Sequence, residues 1–142
     1  MSWPIQDHAD WVLARLNADA QLTVCDGLVP KGTNPPYVLV YLMVQTPDGL
    51  AAPDKVPLSN DSDVVDLSIY CHCVGAGVNA ARNARAVSGR VRAQLLNVLP
   101  VLAGRVCWPL RWRESQPPQR DEELLTPVVD LVDVYGLVSK PA

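Results

Sequence analysis

Apolar positions at the start of the chain recur at helical spacing. Ile5, Ala9, Val12, Leu13 and Leu16 form one stripe, which predicts a helix from about Ile5 to Ala18. Ser2 or Asp7 suits its cap, Pro4 its first turn, and Asp7 and Asp10 its positive end. Leu22 to Leu28 reads as a short extended piece, and residues 30–36 are rich in turn formers. Tyr37 to Gln45 is a strand that is apolar on both faces, so one face is expected to pack on helices and the other to meet something too. A long connection from Thr46 to Asp61 follows, with Pro47, Gly49, Pro53 and Pro57 among its residues.

From Asp63 to Val74 the pattern alternates. Val65, Leu67, Ile69, Cys71 and Cys73 fall on one side, and Asp66, Ser68, Tyr70 and His72 on the other, as in a half-buried antiparallel strand. Gly75-Ala76-Gly77 is expected to stop it, with Asn79 as cap for the next helix. That helix, about Asn79 to Leu99, buries Ala80, Ala84, Val87, Val91, Leu95 and Val98, and Pro100 ends it. Arg82, Arg85 and Arg92 lie on its opposite surface. Two strands close the chain, Gly104 to Arg113 with Trp108 and Trp112, and Thr126 to Val138. Ser115 to Glu123 between them is polar, and Pro117-Pro118 predicts irregular structure there.

This order predicts a single α+β domain over residues 1–142, with a long flexible loop at about 46–62. The architecture is a mostly antiparallel sheet of about four strands with two helices packed on one face. The other face is half apolar, which invites a partner.

Composition narrows the function classes. With 142 residues and 49% apolar composition, one folded domain is expected that needs neither disulfide nor metal. No uninterrupted apolar run reaches membrane-spanning length, and the start lacks a secretion-signal plan, so a soluble cytoplasmic chain is expected. Charge is distributed in blocks. Residues 1–66 carry nine acids against Arg15, Lys31 and Lys55; residues 67–120 carry eight arginines against Glu114; residues 121–142 carry five acids against Lys140. The net charge of −3 argues against wholesale nucleic-acid binding. A basic middle between acidic ends fits pairing within the chain, or contact between copies of it.

Candidate chemistry is sparse. Cys71-His72-Cys73 has a one-residue spacer, shorter than zinc sites use, and strand geometry sends His72 to the face opposite the two cysteines. Cys25, Cys71, Cys73 and Cys107 therefore read as small hydrophobes without disulfides, and His8 as a surface residue. Gly75 and Gly77 lack the further glycine and lysine of a P-loop, and the carboxylate pairs Asp61/Asp63 and Glu122/Glu123 read as solvated loop charge. No catalytic residue, metal ligand or cofactor site is expected, and the chain is not expected to be an enzyme.

The ordered features resemble a known family. The helix end Leu16-Asn17-Ala18-Asp19-Ala20 leads into Val24-Cys25-Asp26-Gly27-Leu28-Val29-Pro30-Lys31-Gly32-Thr33, then the strand entry Pro35-Pro36-Tyr37-Val38-Leu39-Val40. An alternating strand, the arginine-bearing helix Ala80-Ala81-Arg82-Asn83-Ala84-Arg85-Ala86-Val87 and two closing strands complete it. Over roughly residues 5–138 this is similar to the tail terminator, or tail completion, proteins of long-tailed bacteriophages.

The resemblance implies a structural virion protein, assembled in the host cytoplasm and located in the tail at the head–tail junction. Such proteins form rings, typically hexamers, that cap the tail tube, end its polymerisation and offer the head-joining surface. The implied partners are further copies of the chain, the tail tube protein and a head-side connector protein. Genome DNA would pass through the lumen without specific binding, and no membrane or cofactor is implied. Other readings of the same sequence are a different head–tail connector or neck protein, or a small non-catalytic binding module. A ring needs one patch to meet a different patch on the next copy. The candidates are Arg82, Arg85 and Arg92 against Asp121, Glu122 and Glu123, with Leu50, Val56 and Leu58 of the long loop as the apolar part.

Overall fold

The computed structural model describes residues 4–44, 64–121 and 127–142. The chain runs α1 (Pro4–Asn17), β1 (Val24–Asp26), β2 (Tyr37–Val44), β3 (Val65–Ala76), α2 (Ala80–Leu95), β4 (Arg105–Cys107), β5 (Arg111–Asp121) and β6 (Val128–Pro141). Among the described residues six strands form one sheet, two more than expected, in the order β1-β2-β3-β6-β4, with β5 also on β6. β1 joins β2 in parallel and every other pairing is antiparallel. The fold is α+β, with two helices among the described residues.

Register fixes which side chains share a face. Val38, Val40 and Leu42 on β2 stand opposite Cys73, Cys71 and Ile69 on β3, and Ile69 and Leu67 stand opposite Tyr135 and Leu137 on β6. This face meets Val12 and Leu16 of α1 and Val87, Val91 and Leu95 of α2 in one core. Each such aliphatic side chain contributes roughly 1.5–3 kcal/mol by leaving water. Val65, Leu67, Ile69, Cys71 and Cys73 fall on one side, as alternation predicts, with the last four fully buried.

The predicted strand end at Gly75 is corrected: β3 runs through Gly75 to Ala76. Gly75 faces α2, where a Cβ would overlap the Ala80 carbonyl oxygen and lie 2.7 Å from the Ala84 nitrogen. The glycine is there for close helix approach rather than for a turn. Gly77, at φ +89, makes the turn. Asn79 occupies the cap position of α2 but makes no side-chain capping bond. α2 also ends four residues early, at Leu95, because Leu96 is extended and Asn97 takes φ +61.

Two further expectations fail on the far edge of β6. The strand expected over 104–113 is divided at Trp108-Pro109-Leu110: β4 and β5 are separate strands along the same edge. The segment expected to be irregular is mostly strand, since β5 continues through Pro117 and Pro118 to Asp121. Its register shifts between Gln116 and Gln119, a bulge that takes up the two residues lacking an N–H.

Candidate functional site: exposed surfaces for assembly

The arginine face of α2 is formed as the helical period requires. Ala80, Ala84, Val87, Val91 and Leu95 are buried, while Arg82, Arg85 and Arg92 are exposed on the opposite side. α2 has no acidic residue, and among the described residues none of these three arginines makes an ion pair. Arg90 differs. Its Nη1 donates to both carboxylate oxygens of Asp19, at 2.9 and 3.2 Å, tying α2 to the end of α1. Asp19 also accepts from the Gln21 backbone N–H, and this bond first, then Arg90, holds its carboxyl below the ordinary range.

The acidic candidates are only partly placed. Asp121 ends β5 opposite Val128, which pairs in turn with Ala76, four residues before α2 begins. The backbone thus brings Asp121 to the N-terminal end of α2 in the same copy. Glu122 and Glu123 lie outside the described residues, as do Leu50, Val56 and Leu58.

A second exposed surface was only half legible. Leu99, Val101, Val106, Trp108 and Trp112 are 44–82% exposed within fourteen consecutive residues, a concentration of unburied apolar area. Trp108, Trp112, Arg111 and Val138 line a groove of about 420 Å³ there, and Lys140 Nζ stands 5.9 Å from the Trp108 ring. The tryptophans were evident in the sequence, but the strand expected through both concealed the break that sets them on a groove.

The open sheet face carries Tyr41, Tyr70 and His72. His72 Nδ1 donates to Asp130 Oδ2 at 3.0 Å, and the Tyr41 ring meets the imidazole edge-on. Asp130 Oδ1 is buried and has no hydrogen-bond partner among the described residues. Beside this, Arg113 reaches across Gly136 to donate from Nη1 to Ser68 Oγ at 2.7 Å and from Nη2 to Asp66.

His8 is corrected most sharply. Expected at the surface, it is fully buried, with Nε2 2.6 Å from Ser139 Oγ, and Arg105 Nε donates to the same hydroxyl at 2.7 Å. The Ser139 hydroxyl thus links His8 to Arg105. A buried serine beside a histidine invites a nucleophile reading, yet both side chains are closed to solvent. The cluster reads as a satisfied polar joint between α1, β4 and β6. No sequence signal marks it, because its members are 131 residues apart.

Cys25, Cys71, Cys73 and Cys107 are free thiols, the first three buried. Burial pushes the thiols of Cys71 and Cys73 strongly upward, so neither is a nucleophile at neutral pH. Among the described residues no three His, Cys, Asp or Glu side chains converge as metal ligands, and no helix is long and apolar enough to cross a membrane.

No family model matches the chain, and no curated protein matches it. Among solved structures it is similar to a chain in the structure described as "Virion of native gene transfer agent (GTA) particle". The two share 20% identity, with a TM-score of 0.49, over 94% of this chain and 90% of that one.

Proposed function

We propose that the chain is a structural virion protein that works by self-assembly, closing head-to-tail into a ring, expected as a hexamer, that caps a phage tail tube and presents the head-joining surface. The observation that carries this reading is the exposed row of Arg82, Arg85 and Arg92, free of acids on its own helix and of ion pairs among the described residues. A heterologous contact needs two different patches, and a cationic helix face is one half of such a pair. The ordered resemblance to tail terminators gives the reading its biological form. The tail tube protein and a head-side connector are its partners, with DNA passing through the lumen.

Size-exclusion chromatography with light scattering, together with negative-stain microscopy alone and with tail tubes, tests the reading. Rings, or caps on tube ends, are the expected result. A strict monomer that neither assembles nor decorates tubes would refute it. Reversing Arg82 and Arg85 to glutamate should change stability by no more than about 0.5 kcal/mol and abolish assembly. Unchanged assembly would remove α2 from the contact.

A further inference from the structure

Among the described residues, most exposed large apolar side chains fall into two groups, and the sheet sets these at its two ends. One group is the stretch from Leu99 to Trp112, where Trp108 is 44% and Trp112 46% exposed beside β4 and β5. The other is Leu28, just after β1, with Tyr41 and Met43 of β2; these are 65%, 43% and 53% exposed. Charge divides in the same way. Arg111 makes no ion pair among the described residues, and Lys140 sits over the Trp108 ring, so the rim of the groove is cationic. Asp26 is exposed on β1 and likewise makes no ion pair among the described residues.

Topology keeps the two patches apart within one copy. β1 pairs with β2 and β5 with β6, and β2, β3 and β6 lie in that order between β1 and β5. Four strand spacings, about 19 Å along the sheet, separate Asp26 from Arg111, too far for their side chains to meet. The patches are nearly level, however. Met43 pairs with Ser68, Ser68 with Gly136 and Gly136 with Arg111, and Asp26 pairs with Val40, three residues before Met43. Two different patches of opposite charge, level on opposite edges and unable to meet in one molecule, suit a contact that repeats head to tail.

We infer that the β1 edge of one copy, with Asp26 and Leu28, docks on the Trp108–Trp112 groove of the next copy. The inference rests on the head-to-tail reading above and supplies its apolar contact. Leu28 enters the groove beside the indoles and Asp26 meets Arg111 at the rim, so the contact has an apolar centre and a charged border.

Charge exchange on the full chain tests this. D26R and R111D each set like charges across the contact and should weaken association about 30-fold, read by sedimentation or by the capping of tail-tube ends. The chain carrying both changes should associate like the wild type, because each copy then offers the exchanged pair. W108A/W112A should fail to associate, as loss of aromatic anchors does. Circular dichroism checks that every variant is folded. Recovery in the double variant is the decisive result, since a residue needed only for its own fold is not rescued by a change on the far edge of the sheet. If either single variant or W108A/W112A associates like the wild type, the edge contact is wrong while the ring reading stands. A double variant as weak as the singles refutes the contact in the same way. A wild-type chain that associates neither alone nor on tail tubes refutes the ring reading, and this contact falls with it.

Discussion

Gly75 and Gly136 both occupy strand positions where a side chain would collide with something, yet the collisions differ in kind. At Gly75 the obstacle is the backbone of α2, the Ala80 carbonyl and the Ala84 nitrogen. At Gly136 it is the Arg113 guanidinium, with Nη2 2.7 Å from where a Cβ would stand. The first is a seam between rigid elements on the helix-covered face. The second is a flexible side chain laid across the open face. Covered and open faces are thus held together by different means: one by close approach of backbone and an apolar core, the other by polar side chains that can move.

The largest expected effect tests the rigid seam. Gly75→Ala must push α2 away from β3 or bend the strand, because neither obstacle can rotate aside. Overpacking of this kind costs about 3 kcal/mol, read as a fall in the midpoint of urea unfolding. A change below about 0.5 kcal/mol would mean that the seam yields as easily as the open face, and the contrast would fail.

Gly136→Ala should cost less, about 1 kcal/mol, because Arg113 can swing away, giving up its bonds to Ser68 and Asp66 to water. The sharper form is a double-mutant cycle. In an Arg113→Ala background the obstacle is gone, so the alanine at position 136 should be neutral or slightly stabilising through the unfolded chain. Equal costs in both backgrounds would show that Gly136 is needed for its own backbone and not for the arginine above it.

The same contrast explains what was legible in the sequence. Periodicity reports burial, so the core stripe of α2, the arginines opposite it and the alternation from Val65 to Cys73 were readable from spacing alone. Contacts that depend on partners far along the chain were not. Gly75 looked like a stop signal because glycine in a turn and glycine under a helix are identical in sequence. Pro117-Pro118 looked like a break because an edge strand with a bulge tolerates residues that an interior strand would reject. His8 looked exposed because Ser139, the hydroxyl it meets, comes from the other end of the chain. For the candidate surfaces, the exposure of Arg82, Arg85 and Arg92 was legible, whereas the Trp108–Trp112 groove needed the gap between β4 and β5 to be seen.

The smallest expected effect belongs to the latch between Asp19 and Arg90, where side chains alone join the end of α1 to α2 beside the packed core. The Gln21 N–H and then the Arg90 guanidinium favour the Asp19 carboxylate, so its folded value lies below the ordinary 3.8. A carboxylate lowered on folding adds stability in full above its unfolded value, and that stability is lost as pH falls through the folded value. Asp19→Asn should therefore be slightly less stable than the wild type at pH 7, with the difference shrinking below about pH 4. Added salt should narrow the gap at pH 7, since the Arg90 part of the latch is at the surface and screened. Denaturation midpoints of the two proteins across pH 3 to 7 provide the measurement. A gap that persists unchanged at pH 3 would mean that Asp19 acts through its shape and local backbone turn, in the manner of the helix-covered seam, and not through its charge.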